Sequence, residues 1–150
     1  MSVKSQIDDF INSKRIAIIG ISSSKKFGNS VFTELNARGY ELYPVHPRIS
    51  NFHGVSCFRD IQSLPDYVES LYIVCSKENT LKAIIDANNK KTFSKIWIQQ
   101  YCDSKDMQRY AKEQGMNTIT GQCLLMHLDK PGGVHKFHRS ILKFFRKFPK

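Results

Sequence analysis

Apolar residues in this chain follow two spacings, one typical of buried strands and the other of helices. Ile16 to Ile21 is an apolar, largely β-branched run, as expected of a parallel strand that is buried on both faces. Val3, Ile7, Phe10 and Ile11 precede it at helical spacing. The chain is therefore predicted to begin with a helix that packs on a sheet, followed by the first strand of that sheet.

The same two spacings predict the elements that follow. Further strands are expected at Tyr40 to Val45, Leu71 to Cys75, Lys95 to Gln99 and Asn117 to Thr120, and further helices at Asn29 to Arg38, at Lys77 to Asn88, and from the cap residue Ser104 through Gln114. A turn at Gly54 and a short strand are expected within Asn51 to Phe58. Strands that alternate with helices indicate the α/β class, here a single Rossmann-like domain with about five parallel strands and helices on both faces.

Length and charge divide the chain into two parts. At 150 residues it can form one domain with a real core, and residues 1–128 are predicted to be that domain. Residues 129–150 hold 7 Lys or Arg against 1 Asp or Glu, so this short extension supplies +6 of the net charge of +10. The size leaves no room for a second catalytic domain.

The basic extension has the pattern of an amphipathic C-terminal helix. One face of that predicted helix is apolar, with Val134, Phe137, Ile141, Phe144, Phe145 and Phe148. Three interpretations remain open: docking on the domain or on a second subunit, which allows a homodimer; binding to a membrane surface; and contact with nucleic acid.

The loop after the first strand has the composition of a phosphate site. Gly20 allows a close approach to the strand end, the hydroxyls of Ser22, Ser23 and Ser24 stand beside backbone N–H groups, and Lys25 and Lys26 add positive charge. The helix that starts near Gly28 would point its N-terminus at the same spot. Neither GxGxxG nor GK[ST] occurs, so the loop is not the usual dinucleotide or P-loop motif, and an ordinary strand-to-helix connection is the alternative.

The end of the second strand narrows the class of nucleotide. An NAD enzyme usually carries an acidic residue there, whereas this chain has His46, Pro47 and Arg48. A guanidinium in place of a carboxylate favours a ribose that bears a phosphate, as in NADP and CoA. The residues by themselves leave both cofactors open, and Arg48 as a solvated surface residue remains the alternative.

The other strand ends complete the candidate site, because ligands of open α/β sheets bind beyond the carboxyl ends of the strands. The candidates there are Cys75 to Thr80 after the third strand, Gln99 to Asp103 after the fourth, and Gly121 to Cys123 after the fifth. Within these ranges, Cys75, Ser76, Gln99 and Cys123 are the predicted site residues.

Five sequence segments, taken together, resemble a known family. They are IAIIGISSSKKFGNSVF, GYELYPVHPR, GVSCF, KIWIQ and GQCLLMHL, and they span about Ser13 to Leu128. The chain resembles the small stand-alone CoA-binding domain proteins, which are related to the CoA-binding domain of the succinyl-CoA synthetase alpha subunit. The resemblance implies CoA as the cofactor, with its pyrophosphate at Ser22 to Lys26, its adenosine and 3′-phosphate at His46 to Arg48, and its pantetheine arm beside the ends of strands three and four.

The chain departs from this family at three places. His46 stands where the family usually has asparagine, and Cys75 and Ser76 stand where a proline commonly follows the third strand. Gln100 and Tyr101 replace the proline and glycine that often follow the fourth strand.

The sequence contains no recognisable catalytic set. Its 5 histidines show no pattern of nucleophile, base and orienting acid, a GxSxG elbow is absent, and no metal site is expected from the spacing of the 4 cysteines. These thiols are predicted to be reduced and inert, in a cytoplasmic protein, with a mixed disulfide between Cys123 and CoA as the alternative.

These observations predict a protein that binds CoA or an acyl-CoA without turnover, as a sensor or carrier. The alternatives are an NADP-dependent oxidoreductase, a detached subunit of an acyl-CoA ligase, and an adaptor that binds a membrane surface or nucleic acid through its tail.

Overall fold

Five parallel strands form the main sheet of the computed structural model, which describes residues 2–128. In chain order the strands are β1 Arg15–Ile19, β2 Glu41–Val45, β3 Asn51–Phe52, β4 Val55–Ser56, β5 Ser70–Ile73, β6 Lys95–Gln99 and β7 Thr118–Gln122, and the helices are α1 Val3–Ile11, α2 Phe27–Ala37, α3 Lys77–Lys90 and α4 Lys105–Glu113. The main sheet has the order β2-β1-β5-β6-β7, and β3 and β4 pair as a small antiparallel hairpin. The α/β, Rossmann-like fold predicted from the sequence is confirmed.

The order of the strands reverses at β1, which lies between β2 and β5 in the main sheet. Its last residue, Ile19, pairs with Val45 of β2 on one side and with Ile73 of β5 on the other. Ile16, Ala17 and Ile18 are at most 1% exposed because helices cover both faces of the sheet. Helix α2 therefore connects β1 to the edge strand β2, whereas α3 and α4 connect β5, β6 and β7 on the other side of β1.

This change of direction fixes where a cleft can form. Right-handed crossovers place α2 on one face of the sheet and α3 on the other, so the loops after β1 and β5 diverge at the carboxyl ends of these neighbouring strands. The gap between diverging loops is the usual ligand position in open α/β sheets.

Three helices begin at a serine that caps them. The side chains of Ser2, Ser76 and Ser104 accept hydrogen bonds from backbone N–H groups in the first turns of α1, α3 and α4. Helix α2 differs, since Lys26 precedes it in an extended conformation and makes no capping bond with its side chain.

Several element boundaries differ from the sequence prediction. Strand β5 ends at Ile73, two residues before the predicted end, because its neighbour β1 gives way to Gly20, whose φ of 132° turns the chain out of the sheet. Helix α2 begins two residues early, at Phe27, since that ring is buried and anchors the first turn. Strand β7 continues to Gln122, whose backbone oxygen accepts a hydrogen bond from the Trp97 indole.

The predicted basic helix of residues 129–150 lies outside the described residues, and the division of the chain at residue 128 stays a prediction. Within residues 2–128, none of the helices has the length and apolar character needed to cross a membrane.

Candidate functional site

A cleft of about 720 Å³ opens at the carboxyl ends of β1 and β5, where the strand order reverses. Its lining residues are Gly20, Ile21, Ser22, Lys26, Phe27, Gly28, Val74, Cys75, Ser76, Lys77, Asn79, Tyr101 and Cys102. This volume falls within the range of roughly 300–1,000 Å³ that is usual for small-molecule sites.

Two glycines bring the backbones at the base of the cleft into contact. A Cβ on Gly20 would lie 2.1 Å from the Val74 carbonyl oxygen, and a Cβ on Gly28 would lie 2.2 Å from the Gly20 carbonyl oxygen. The sequence interpretation assigned Gly20 to close approach of a ligand. In the structure its missing side chain lets the loop pass the backbone after β5, which holds the start of α2 against the end of β1.

The serine loop is held in place by one side chain of α2. Asn29 accepts a hydrogen bond from the Ser22 N–H at 2.9 Å, and its amide donates to the carbonyl oxygens of Ser22 at 3.0 Å and Ser24 at 2.9 Å. The Ser24 N–H also donates to Ser22 Oγ at 3.2 Å. The sequence pattern predicts Asn29 only as the start of a helix. In the structure it is the third residue of α2, and its side chain bonds to the adjacent loop of small residues.

The cleft is suited to an anionic ligand. Lys26 and Lys77 line it, and none of its described lining residues is an Asp or Glu. The N-termini of α2 and α3 both open on it, so two sets of backbone dipoles present their positive ends there.

The end of β2 forms a turn that is stabilised by the His46 ring. His46 Nδ1 accepts hydrogen bonds from the backbone N–H groups of Arg48 at 3.0 Å and Ile49 at 3.1 Å, which gives the neutral ring its proton on Nε2. An asparagine side chain makes the same kind of bond in an Asx turn, so histidine preserves the turn at this departure from the family. Pro47 and Arg48 are exposed beside it.

Gln99 and Cys123 lie behind this edge of the sheet and do not line the cleft. Gln99 is 1% exposed, and its Oε1 accepts hydrogen bonds from the Tyr72 hydroxyl at 2.8 Å and from the Leu124 N–H at 3.2 Å. Cys123 is also buried, and burial raises the pKa of its thiol. This environment favours an inert Cys123 over the mixed disulfide with CoA.

Two other thiols do line the cleft. Burial raises the pKa of Cys102 to about 12 and also raises that of Cys75, whose thiol lies 3.4 Å from the Thr80 hydroxyl. Both are therefore protonated at neutral pH and act as small apolar groups in the wall of the cleft.

The predicted site residues fall into three groups. Six line the cleft: Gly20, Ser22, Lys26, Gly28, Cys75 and Ser76. Ser23, Ser24 and Lys25 are exposed on the same loop, and His46, Pro47 and Arg48 follow the neighbouring strand β2. Gln99 and Cys123 form the third, buried group.

The cleft also contains four residues that belong to the candidate ranges after the strands but not to the narrower set of predicted site residues. Lys77 and Asn79 belong to the first turn of α3, directly after its cap residue Ser76. Tyr101 and Cys102 follow β6, which is two strands from β1. Within residues 2–128, no group of three or more His, Cys, Asp or Glu is arranged to hold a metal ion.

Comparison with known proteins gives one family and several relatives. The family model described as CoA binding domain matches residues 14–129. The alpha subunit of the ADP-forming acetate–CoA ligase II of Pyrococcus furiosus is 27% identical over 129 residues, which cover 79% of this chain and 28% of that protein. The chain therefore spans less than a third of this ligase subunit.

Two smaller proteins match over most of their length. The Bacillus subtilis protein YneT, described as uncharacterized, is 24% identical over 123 residues, covering 81% of this chain and 90% of YneT. A solved structure of a conserved hypothetical protein from Pyrococcus furiosus has a TM-score of 0.73 and 26% identity, covering 77% of this chain and 100% of that one.

Proposed function

The chain belongs to the CoA binding domain family, and on this premise we propose that it binds CoA or an acyl-CoA in the cleft between β1 and β5 without turning it over. The observation that carries the proposal is the character of the cleft. Two helix N-termini and two lysines lie there, and none of the lining residues within residues 2–128 is acidic, at the position where α/β sheets bind nucleotides.

The strand order gives the proposed ligand a direction. In this proposal the pyrophosphate lies at Ser22 to Lys26, and the adenosine with its 3′-phosphate lies at the end of β2, where Arg48 is exposed and forms no ion pair within residues 2–128. The pantetheine arm then extends the other way, past the end of β5. A free guanidinium can take a phosphate with paired hydrogen bonds.

Thermal denaturation with CoA, acetyl-CoA, NAD and NADP tests the choice of cofactor. A ligand that binds only the folded state adds about 2.7 kcal/mol of stability at 100 times its Kd, so CoA or acetyl-CoA should raise the Tm by several degrees. Stabilisation by NADP but not by CoA would favour the oxidoreductase alternative and contradict the proposal.

Arg48→Ala tests the phosphate contact. It should weaken CoA binding roughly tenfold, in the range of a charge-assisted hydrogen bond, and should leave the Tm of the ligand-free protein unchanged. Arg109→Ala is the matched control, because it removes the same charge from an exposed position on α4. An equal loss in both variants would mean that Arg48 acts only through overall charge.

A detached ligase subunit is the second candidate, favoured by the identity to the acetate–CoA ligase alpha subunit. The test supplies the full chain with ATP, acetate and CoA and measures acetyl-CoA and ADP. Binding without turnover predicts no product, whereas product formation would support the ligase function. A homodimer and a cytoplasmic location stay predictions from the sequence.

A further inference from the structure

Tyr101 has a backbone conformation that a tyrosine rarely adopts. Its φ is 73°, in the left-handed region, and it is the third residue of a turn in which the Cys102 N–H donates to the Gln99 carbonyl oxygen at 3.0 Å. Gln100, the second residue, is not among the residues with positive φ. A positive φ at the third residue alone is the pattern of a type II turn, in which glycine or asparagine normally occupies that position.

The turn therefore contains strain that a glycine would remove. A Cβ in the left-handed region lies close to the following carbonyl oxygen, and such residues persist only where the surrounding structure holds them. The family's frequent proline and glycine at these two positions suit this turn, whereas Gln100 and Tyr101 do not. A strained, bulky residue at the mouth of a cleft points to a function for its side chain.

Tyr101 also lies at a chemically distinct end of the cleft. The end of β6 contributes Tyr101 and Cys102 to the lining, an aromatic ring and a protonated thiol, whereas both cleft lysines belong to the segments after β1 and β5. Strand β6 is two strand spacings, about 10 Å, from β1 and its serine loop. This end of the cleft offers apolar contact in place of charge.

We propose that Tyr101 is a ligand-contacting residue whose ring covers the pantetheine portion of CoA and makes no contribution to binding of its nucleotide portion. The inference rests on the proposed function, since the direction of the ligand follows from the phosphate loop and from Arg48. The ring, 47% exposed in the ligand-free protein, would lose water on binding and gain apolar contact with the uncharged arm.

The test compares two ligands that differ by the pantetheine arm: CoA, and adenosine 3′,5′-bisphosphate, which lacks it. The dissociation constants of both ligands are measured by NMR titration, which can quantify binding as weak as millimolar. The proteins compared are the full chain and three variants, Tyr101→Gly, Tyr101→Phe and Lys91→Gly. Lys91 is the matched control, because it also has a left-handed φ, 62°, but lies at the C-terminal end of α3 and does not line the cleft.

Tyr101→Gly should weaken CoA binding roughly fivefold or more and change binding of the bisphosphate less than about twofold, because only CoA reaches the ring. Tyr101→Phe should retain the affinity for CoA, and Lys91→Gly should change neither ligand. In the absence of ligand, the Tm of Tyr101→Gly and of Lys91→Gly should be no lower than that of the parent protein, because glycine adopts a positive φ without strain.

Three results would overturn the inference: unchanged CoA binding in Tyr101→Gly, an equal loss for both ligands in that variant, or a loss in Tyr101→Phe as large as in Tyr101→Gly. Each of them leaves CoA binding by the parent protein intact. Failure of the parent protein to bind CoA would instead refute the proposed function together with the inference.

Discussion

Gly28 shows how a single missing side chain determines the geometry of the cleft. Its Cα faces the carbonyl oxygen of Gly20, and Gly20 in turn faces the backbone of Val74. The first turn of α2, the end of β1 and the segment after β5 therefore meet without side chains between them. This close packing brings the N-terminus of α2 to the edge of the sheet, where it can act on an anion.

Gly28→Ala should destabilise the protein, although glycine to alanine usually stabilises a helix. The new Cβ would lie 2.2 Å from the Gly20 carbonyl oxygen, so backbone must shift, at a cost of about 1–3 kcal/mol of unfolding free energy. Urea denaturation measures this free energy.

Asn36→Ala is the control for Gly28→Ala, because Asn36 is exposed on the same helix and its replacement should be neutral or slightly stabilising. A gain in stability for Gly28→Ala would show that the packing at this position can relax.

His127 gives the folded protein a dependence on pH. Its Nε2 lies 2.9 Å from Gln122 Oε1, and burial lowers the pKa of the ring below its ordinary value of 6.5, an effect that Asp8 partly opposes. Below about pH 6.5, His127 therefore binds a proton more readily in the unfolded chain than in the folded protein. The stability that depends on His127 is complete above that pH and is lost as the pH falls through the folded-state pKa.

We therefore expect the parent protein to melt at a lower temperature at pH 5 than at pH 7.5, and His127→Gln to reduce this difference. His53→Gln serves as the control, since His53 is exposed in the hairpin between β3 and β4. A pH dependence that is the same in His127→Gln and in the parent protein would contradict this assignment.

At the scale of elements, α2 contributes both an N-terminus and the side chain that orders the adjacent loop. The Asn29 side chain accepts one hydrogen bond from Ser22 and donates two, to Ser22 and Ser24, which fixes the backbone of both serines, although neither Ser23 nor Ser24 packs into the core. Ordering the loop before a ligand binds reduces the entropy that binding would otherwise cost. Asn29 is therefore a positioning residue of the proposed phosphate site.

Asn29→Ala should weaken CoA binding by about tenfold or more, because the serine loop loses its fixed conformation. It should also lower the unfolding free energy by about 2 kcal/mol, since three hydrogen bonds are lost and the Ser22 N–H loses its partner. Calorimetric titration with CoA and urea denaturation measure the two effects.

Asn36→Ala again provides the control, since it removes an exposed asparagine from the same helix. CoA binding by Asn29→Ala with the parent affinity would show that the loop orders on the ligand without help from α2.

At the scale of the whole molecule, the candidate site is a row of strand ends across four neighbouring strands. Arg48 follows β2, the serine loop follows β1, Ser76 follows β5 and Tyr101 follows β6. The row changes in character from cationic to apolar, which matches a ligand with phosphates at one end and a neutral arm at the other. All of these residues belong to residues 2–128.

A chain shortened to residues 1–128 should fold and bind CoA with an affinity within about threefold of the full chain at 0.15 M salt, where distant charges are largely screened. The physical reason is that the five strands of the main sheet, the helices that cover them and the loops that line the cleft are formed within residues 2–128, although the net charge falls from +10 to +4. Circular dichroism and calorimetric titration check the two parts of the prediction. Loss of CoA binding with an intact fold would assign part of the site to the basic extension.

Much of the fold could be predicted from sequence because its signals are local. The apolar run at β1, the helical spacing of Ile7 and Phe10, and the cap at Ser104 each occupy adjacent positions, and the structure has these elements. The predicted end of β5 and the predicted start of α2 were less accurate, because contacts with neighbouring elements determine both boundaries.

The sequence by itself determined the class of the sheet, the identity of the loop after β1 and the replacement of an acid by Arg48, since each depends on residues that are close along the chain. Only the tertiary structure decided which strand ends share the cleft. It separated Gln99 and Cys123, which are buried behind the edge, from Tyr101 and Lys77, which line it. The reason is that strand order and backbone contacts such as Gly20 with Val74 arise between segments far apart in sequence.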